Sequence, residues 1–126
     1  MTNAIEEILG RLTDIGKKET DILWVGSEDG TLAMGWEMFK NKFKGVYYDA
    51  GFGASKIADD LVVVFNDNTW LEREEYDGAE CWAYKEAPKR KPSSHGYEII
   101  DCDTAGEVGW QDLAGLNEWS GSDEEI

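Results

Sequence analysis

A chain of 126 residues fits one domain with one modest core, and 41% hydrophobic with 12% aromatic residues excludes an intrinsically disordered composition. Twenty-seven Asp and Glu against twelve Lys and Arg give a net charge of −15, which repels nucleic acid and anionic membranes and attracts cationic surfaces. Two cysteines, no cationic segment ahead of an apolar run, and no apolar run longer than Leu61–Phe65 predict no disulfide framework, no signal peptide and no membrane span, and imply the cytosol.

From the N-terminus, Ile5, Ile8, Leu9, Leu12 and Ile15 fall on one helical stripe. Asn3 is a capping residue by type, Glu6 stands where a capping-box partner belongs, and Gly16 suits a left-handed helix end. Ile22–Val25 reads as a short strand, Ser27-Glu28-Asp29-Gly30 as a turn, and Thr31–Met34 as a return strand closed by Gly35. Trp36, Phe39 and Phe43 at helical spacing, with Lys40, Lys42 and Lys44 between them, predict a second helix over Trp36–Lys44. Asp49-Ala50-Gly51-Phe52-Gly53 reads as an irregular turn.

The strongest pattern follows. Leu61–Phe65 is a continuous β-branched and aromatic run, a buried strand. Asn66-Asp67-Asn68 is a turn, Trp70–Tyr76 a second strand, Asp77-Gly78 a hairpin turn and Cys81–Lys85 a third strand. Pro88-Lys89-Arg90-Lys91-Pro92-Ser93-Ser94 breaks the pattern as a basic loop. Beyond it, Tyr97–Ile100 predicts a fourth strand, and Val108, Leu113, Leu116 and Trp119 predict one helix face. Asp101–Ile126 carries eight acidic residues and no Lys or Arg. The expectation is therefore an α+β domain over 1–119. It has a three- to four-stranded antiparallel sheet, a meander about residues 60–86, with the N-terminal and middle helices packed on one face. A mobile acidic tail follows at 120–126.

Little in the sequence points to catalysis. The one histidine, His95, lies in the proline-flanked basic loop, whereas a Ser-His-Asp or Cys-His site needs its histidine held rigidly beside a nucleophile, so the expectation is a solvated side chain. Two cysteines and that histidine lack zinc-ligand spacing, no phosphate loop or dinucleotide fingerprint is present, and Asn66-Asp67-Asn68 lacks the glycine of a calcium loop. Asp59-Asp60 and Glu72, Glu74 and Glu75 offer the carboxylate pairs of a glycosidase or two-metal nuclease. A nuclease, however, also needs cations to grip its substrate, and this chain has few. The expectation is a protein with no catalytic residue, no metal and no cofactor, which acts by binding.

Alternation places Trp70, Glu72, Glu74 and Tyr76 on one face of their strand and Arg73 and Glu75 on the other. Carboxylates two residues apart in a strand stand roughly 6.6–7 Å from each other, about the spacing of successive phosphates, so such a face can occupy a groove built for nucleic acid. Glu72, Glu74, Glu75, Asp77 and Glu80 are the partner-binding candidates, with Trp70, Tyr76 and Trp82 as aromatic anchors. The competing reading is a polar face that only keeps the sheet soluble, with the aromatic residues in the core.

One stretch also resembles known sequences. Tyr48-Asp49-Ala50-Gly51-Phe52-Gly53-Ala54, the run Ala58–Phe65, and Trp70–Trp82 with its Tyr76-Asp77-Gly78 turn resemble a group of small acidic proteins encoded by phages and prophages. Ala79 and Cys81 depart from that group's pattern, and the likeness covers Tyr48–Pro88. The group has no assigned activity, so the resemblance transfers no catalytic residue. It implies a setting in which small acidic proteins inhibit host nucleic-acid enzymes as anti-CRISPR proteins, anti-restriction proteins and other DNA mimics. The expected partner is then a basic host protein, a nucleic-acid-binding nuclease in the host cytosol, with no direct contact to nucleic acid or membrane. The alternatives are sequestration of a signalling nucleotide, for which only Arg11, Arg73 and Arg90 are on hand, and a virion or assembly accessory role.

Overall fold

The computed structural model describes residues 1–51, 56–109 and 111–118. Phe52, Gly53, Ala54, Trp119 and the expected tail at 120–126 lie outside the described residues. Contacts divide the chain into two compact units, Met1–Ala87 and Pro88–Ile126.

The first unit contains β1 (Thr2–Asn3), α1 (Ala4–Asp14), β2 (Ile22–Ser27), β3 (Ala33–Met34), α2 (Trp36–Phe43), β4 (Tyr47–Tyr48), β5 (Leu61–Phe65), β6 (Thr69–Tyr76) and β7 (Ala79–Glu86). The start of α1 is fixed by Asn3, whose side-chain oxygen accepts from the amides of Ile5 (3.1 Å) and Glu6 (2.9 Å). Its end is closed by Gly16 at φ 73°, with Gly16 N–H donating to Thr13 O and Lys17 N–H to Leu12 O. The predicted N-terminal and middle helices and the meander are present. The sheet is larger than the expected three to four strands: among the described residues it has five, in the order β3-β2-β5-β6-β7, all antiparallel, beside a two-stranded β1-β4 ribbon.

The additional strands come from the β2–β3 hairpin, which joins the free edge of β5. That hairpin needs a glycine at 26, because a Cβ there would stand 1.9 Å from the Leu32 carbonyl oxygen. A bulge between Ile22 and Trp24 turns Leu23 outward to 60% exposure. The turns of the meander follow their residue types. Asn68 takes φ 69° after Asn66-Asp67, and Asp77 and Gly78 take φ 54° and 87°, the doubly positive geometry of a tight hairpin turn.

One face of the sheet carries the core. Ile5, Ile8 and Leu12 of α1 and Trp36 and Phe39 of α2 pack with Val25, Val63, Phe65, Leu71 and Trp82. The five-residue strand β5 alternates accordingly, with Leu61, Val63 and Phe65 on this side. Lys17 spans the edge of the cluster, 5.1 Å from the Phe65 ring and paired to Asp67 at 2.5 Å.

The second unit holds two short helices, α3 (Cys102–Ala105) and α4 (Leu113–Asn117), capped by Asp101 on the Thr104 amide and by Asp112 on the Gly115 amide. The expected fourth strand at Tyr97–Ile100 does not form. The side chain of Asn117 takes the backbone amides of Glu98 (2.9 Å) and Ile99 (3.0 Å) and donates to the Ile99 carbonyl, the groups that a neighbouring strand would engage. Nor is there one helix face through Val108, Leu113 and Leu116. Val108 lies between the two helices and is 89% exposed, while Leu116 is buried.

Candidate partner-binding surface

The β6–β7 hairpin carries all eight of the predicted site residues. Its register pairs Glu72 with Ala83, Arg73 with Trp82, Glu74 with Cys81, Glu75 with Glu80 and Tyr76 with Ala79. Cross-strand partners share a face, so Trp70, Glu72, Glu74 and Tyr76 fall on one side, as the alternation predicts, and Leu71, Arg73, Glu75, Glu80 and Trp82 on the other. The eight candidates are thereby split.

Toward the turn, Glu74, Glu75, Tyr76 and Asp77 are all exposed, Tyr76 to 83%. Glu75 accepts from the Gly78 amide at 2.6 Å, which draws its carboxylate to the turn. Asp59 joins Glu74, Glu75 and the Ile57 side chain around a small depression of about 60 Å³. Nearer the middle of the strand, Trp70 and Glu72 are half-buried and bonded to each other, the indole Nε1 donating to Glu72 Oε1 at 2.8 Å.

Glu80 and Trp82 correct the expectation of a surface role. Glu80 is 7% exposed and Trp82 5%, both on the core side. Glu80 accepts from Arg73 Nη2 at 2.5 Å and from the amides of Lys56 (2.8 Å) and Ile57 (3.3 Å), so it ties β7 to the chain that enters β5. Arg73 is the centre of this cluster. Its side chain is 4% exposed, and its guanidinium lies 4.6 Å from the Trp82 ring centroid and 5.6 Å from that of Tyr48. Nη1 is 3.6 Å from Glu7 Oε1, and Nη2 donates to the Tyr48 hydroxyl at 3.2 Å. The same hydroxyl donates to Glu7.

These contacts set the charge states. Burial, with the Glu7 hydrogen bond, pushes the Tyr48 phenol up to about 12, so it is neutral near pH 7. Burial works against the Glu80 charge, but the Lys56 amide, Arg73 and the Ile57 amide outweigh it and hold the carboxyl below its ordinary value. Burial likewise opposes the Arg73 charge, and its bonds to Tyr48 and Glu80 keep it protonated. Glu80 and Arg73 therefore face each other as a buried ion pair beside a neutral phenol. Nothing in the local pattern marks Arg73, Glu7 and Tyr48 in advance, since they come from three separated elements; only the hairpin register puts Arg73 across from Trp82.

Among the described residues no group of three or more His, Cys, Asp or Glu could hold a metal ion, and no helix is long and apolar enough to cross a membrane. Cys81 is exposed and Cys102 half-buried, both as free thiols. No protein-family model, curated protein or solved structure matches the chain.

Proposed function

We propose that this chain is a phage-type inhibitor of a host defence enzyme that works on nucleic acid, anti-CRISPR or similar, and that it holds the enzyme's basic groove with the acidic end of the β6–β7 hairpin. The observation that carries the reading is Tyr76, 83% exposed and set among the exposed carboxylates of Glu74, Glu75 and Asp77. The core-facing side of the hairpin is sealed further back by Leu71 and Trp82, so the fold does not need the tyrosine ring. Aromatic rings with a polar tip are the common anchors of protein interfaces, and flanking charges set the encounter rate and the choice of partner.

The net charge of −15 supports the same reading, because it speeds approach to a cationic groove. A protein that fills such a groove displaces the phosphate strand by occupancy alone, so the mechanism needs no reacting group, metal or cofactor. The resemblance of Tyr48–Pro88 to acidic phage proteins supplies the setting, the cytosol of an infected cell.

The test is capture from a host lysate on the immobilised chain, with washes of rising salt. A nucleic-acid enzyme should be retained at low salt and released near about 1 M, where the Debye length falls to about 3 Å. Tyr76→Ala should weaken retention about tenfold or more, as hot-spot truncations of about 2 kcal/mol do. Retention of no such enzyme, or a complex indifferent to both salt and Tyr76→Ala, would refute the proposal. A melting-temperature rise with cyclic nucleotides would instead support nucleotide sequestration.

A further inference from the structure

The sequence contains two Asp-Gly pairs, Asp29-Gly30 and Asp77-Gly78, and the fold treats them differently. An aspartate followed by glycine is reactive, because no side chain shields the glycine nitrogen from the carboxyl carbon of the residue before it. Attack of that nitrogen on Cγ closes a five-membered imide ring. The step needs a carboxyl free to swing toward the nitrogen, a neutral carboxyl from which water can leave, and an acceptor for the amide proton.

At Asp29 each requirement is opposed. Asp29 Oδ1 accepts from Ser27 Oγ at 2.8 Å and from the Thr31 amide at 2.9 Å, which pins the carboxylate inside its turn. The same partners, the Thr31 amide first, hold the carboxyl below its ordinary value and so in the charged form. The Gly30 N–H is engaged by the Ser27 carbonyl oxygen at 2.8 Å.

Asp77 is the opposite case. It is exposed, and among the described residues its side chain has no hydrogen bond or ion pair. The Gly78 N–H lies outside the strand ladder, which ends at the Tyr76–Ala79 pair, and donates to Glu75 Oε2 at 2.6 Å. Its proton therefore already points at a carboxylate that can take it. The backbone suits the reaction too. Ring closure rotates the Asp77–Gly78 peptide plane and carries the turn toward type II′. That turn keeps positive φ at its first residue, as Asp77 already has at 54°, and Gly78 can leave φ 87° for the negative φ of the second.

We infer that Asp77 is a self-modification site: in the folded chain the Gly78 nitrogen closes on the Asp77 carboxyl carbon, Glu75 takes the amide proton, and the ring reopens to isoaspartate. The nitrogen lone pair forms the N–Cγ bond and the Cγ–O bond of the neutral carboxyl breaks. The departing hydroxide takes the proton from Glu75 and leaves as water. Water then adds to the main-chain carbonyl carbon of Asp77, whose bond to the Gly78 nitrogen breaks, and the nitrogen regains a proton. The product has unchanged mass, with the chain running through Cβ and Cγ and the carboxylate on Cα. It lengthens the turn by one backbone atom, so the two-residue geometry that sets Tyr76 opposite Ala79 is lost. The chemistry falls beside Tyr76 but does not depend on the inhibitor reading.

The test incubates the full chain folded near neutral pH, beside the same chain unfolded in guanidinium chloride, until both sites have reacted in the unfolded sample. Digests are read by electron-transfer fragmentation, which separates isoaspartate from aspartate at equal mass, and by the loss of one water for the ring. In the folded chain isoaspartate should build up at Asp77 severalfold faster than at Asp29, and in denaturant the two rates should converge. Glu75→Gln keeps an acceptor for the Gly78 N–H but removes the base; it should slow Asp77 severalfold and leave Asp29 unchanged. Equal rates at the two sites in the folded chain overturn the proposal. So does an unreacted Asp77 in the folded chain, a preference that persists in denaturant, or an undiminished rate in Glu75→Gln.

Discussion

Glu80 illustrates how far one side chain's surroundings change its meaning. On the sequence it is one of five candidate carboxylates for partner binding; in the fold it closes a buried pair with Arg73 and takes two backbone amides from the chain before β5. Taking one member out of such a pair leaves the other charged and desolvated, so Glu80→Ala should lower stability by about 3–5 kcal/mol in urea unfolding near pH 7. The acid limb tests the same contact by its sign. A carboxyl held below its ordinary 4.5 in the fold stabilises the fold above that value, and the contribution is lost as pH falls through the lower folded value. The parent should therefore lose stability more steeply than Glu80→Gln from about pH 4.5 downward. Parallel curves for the two would show that the group does not titrate as the geometry requires. Gly26 is a second position where a single atom decides. With its added Cβ 1.9 Å from the Leu32 oxygen, Gly26→Ala must spread β2 from β3, and a loss of about 1–3 kcal/mol is expected. An alanine variant with an unchanged urea midpoint would mean that the hairpin yields without cost.

At the scale of the element, the β6–β7 hairpin rests on its two-residue turn. Asp77 and Gly78 both hold positive φ, which a residue with a Cβ adopts at a cost of about 1–2 kcal/mol. Gly78→Ala should destabilise the protein by about that amount, whereas Asp77→Asn, whose short amide tolerates the same region, should leave the midpoint nearly unchanged. Equal effects from both would contradict the turn geometry. The same turn explains which parts of the site were legible in the sequence. Apolar runs and turn residues were enough to place β5, β6 and β7 and the α1 and α2 stripes, because each of these signals is local. The split of the candidates was also present in latent form. A two-residue turn fixes Tyr76 opposite Ala79, and counting back then puts Trp82 opposite Arg73, on the face of Leu71. That count, applied to Glu80 and Trp82, would have moved both inward. Three features left no local trace. The β2–β3 hairpin could have paired with either edge of the meander. Arg73, set between Glu72 and Glu74, has the neighbours of a solvated residue, and its partners Glu7 and Tyr48 are far away in sequence. In Tyr97–Ile100 the apolar pattern suits a strand, but a side chain nineteen residues away in the case of Glu98 supplies the hydrogen bonds instead.

For the whole molecule, the division at Ala87 separates two kinds of sequence. Every buried residue of the main core, from Ile5 to Trp82, falls in Met1–Ala87, as do all five strands of the sheet and the exposed end of the hairpin. The remaining stretch has short capped helices of four and five residues. Isolated helices of that length are unstable in water, since the first turn costs more entropy than one hydrogen bond returns. The free energy of folding should thus reside in the first unit, and a chain ending at Ala87 should unfold in a single cooperative transition. Its urea slope should scale with its own buried surface, and its far-ultraviolet spectrum should keep the sheet contribution. It also retains Glu74, Glu75, Tyr76 and Asp77, so if the hairpin end is the binding surface the fragment should capture the same partner with the same response to salt. A fragment that melts cooperatively yet captures nothing would place the binding determinants beyond residue 87. A fragment that fails to melt cooperatively would show that the core of the first unit is insufficient by itself.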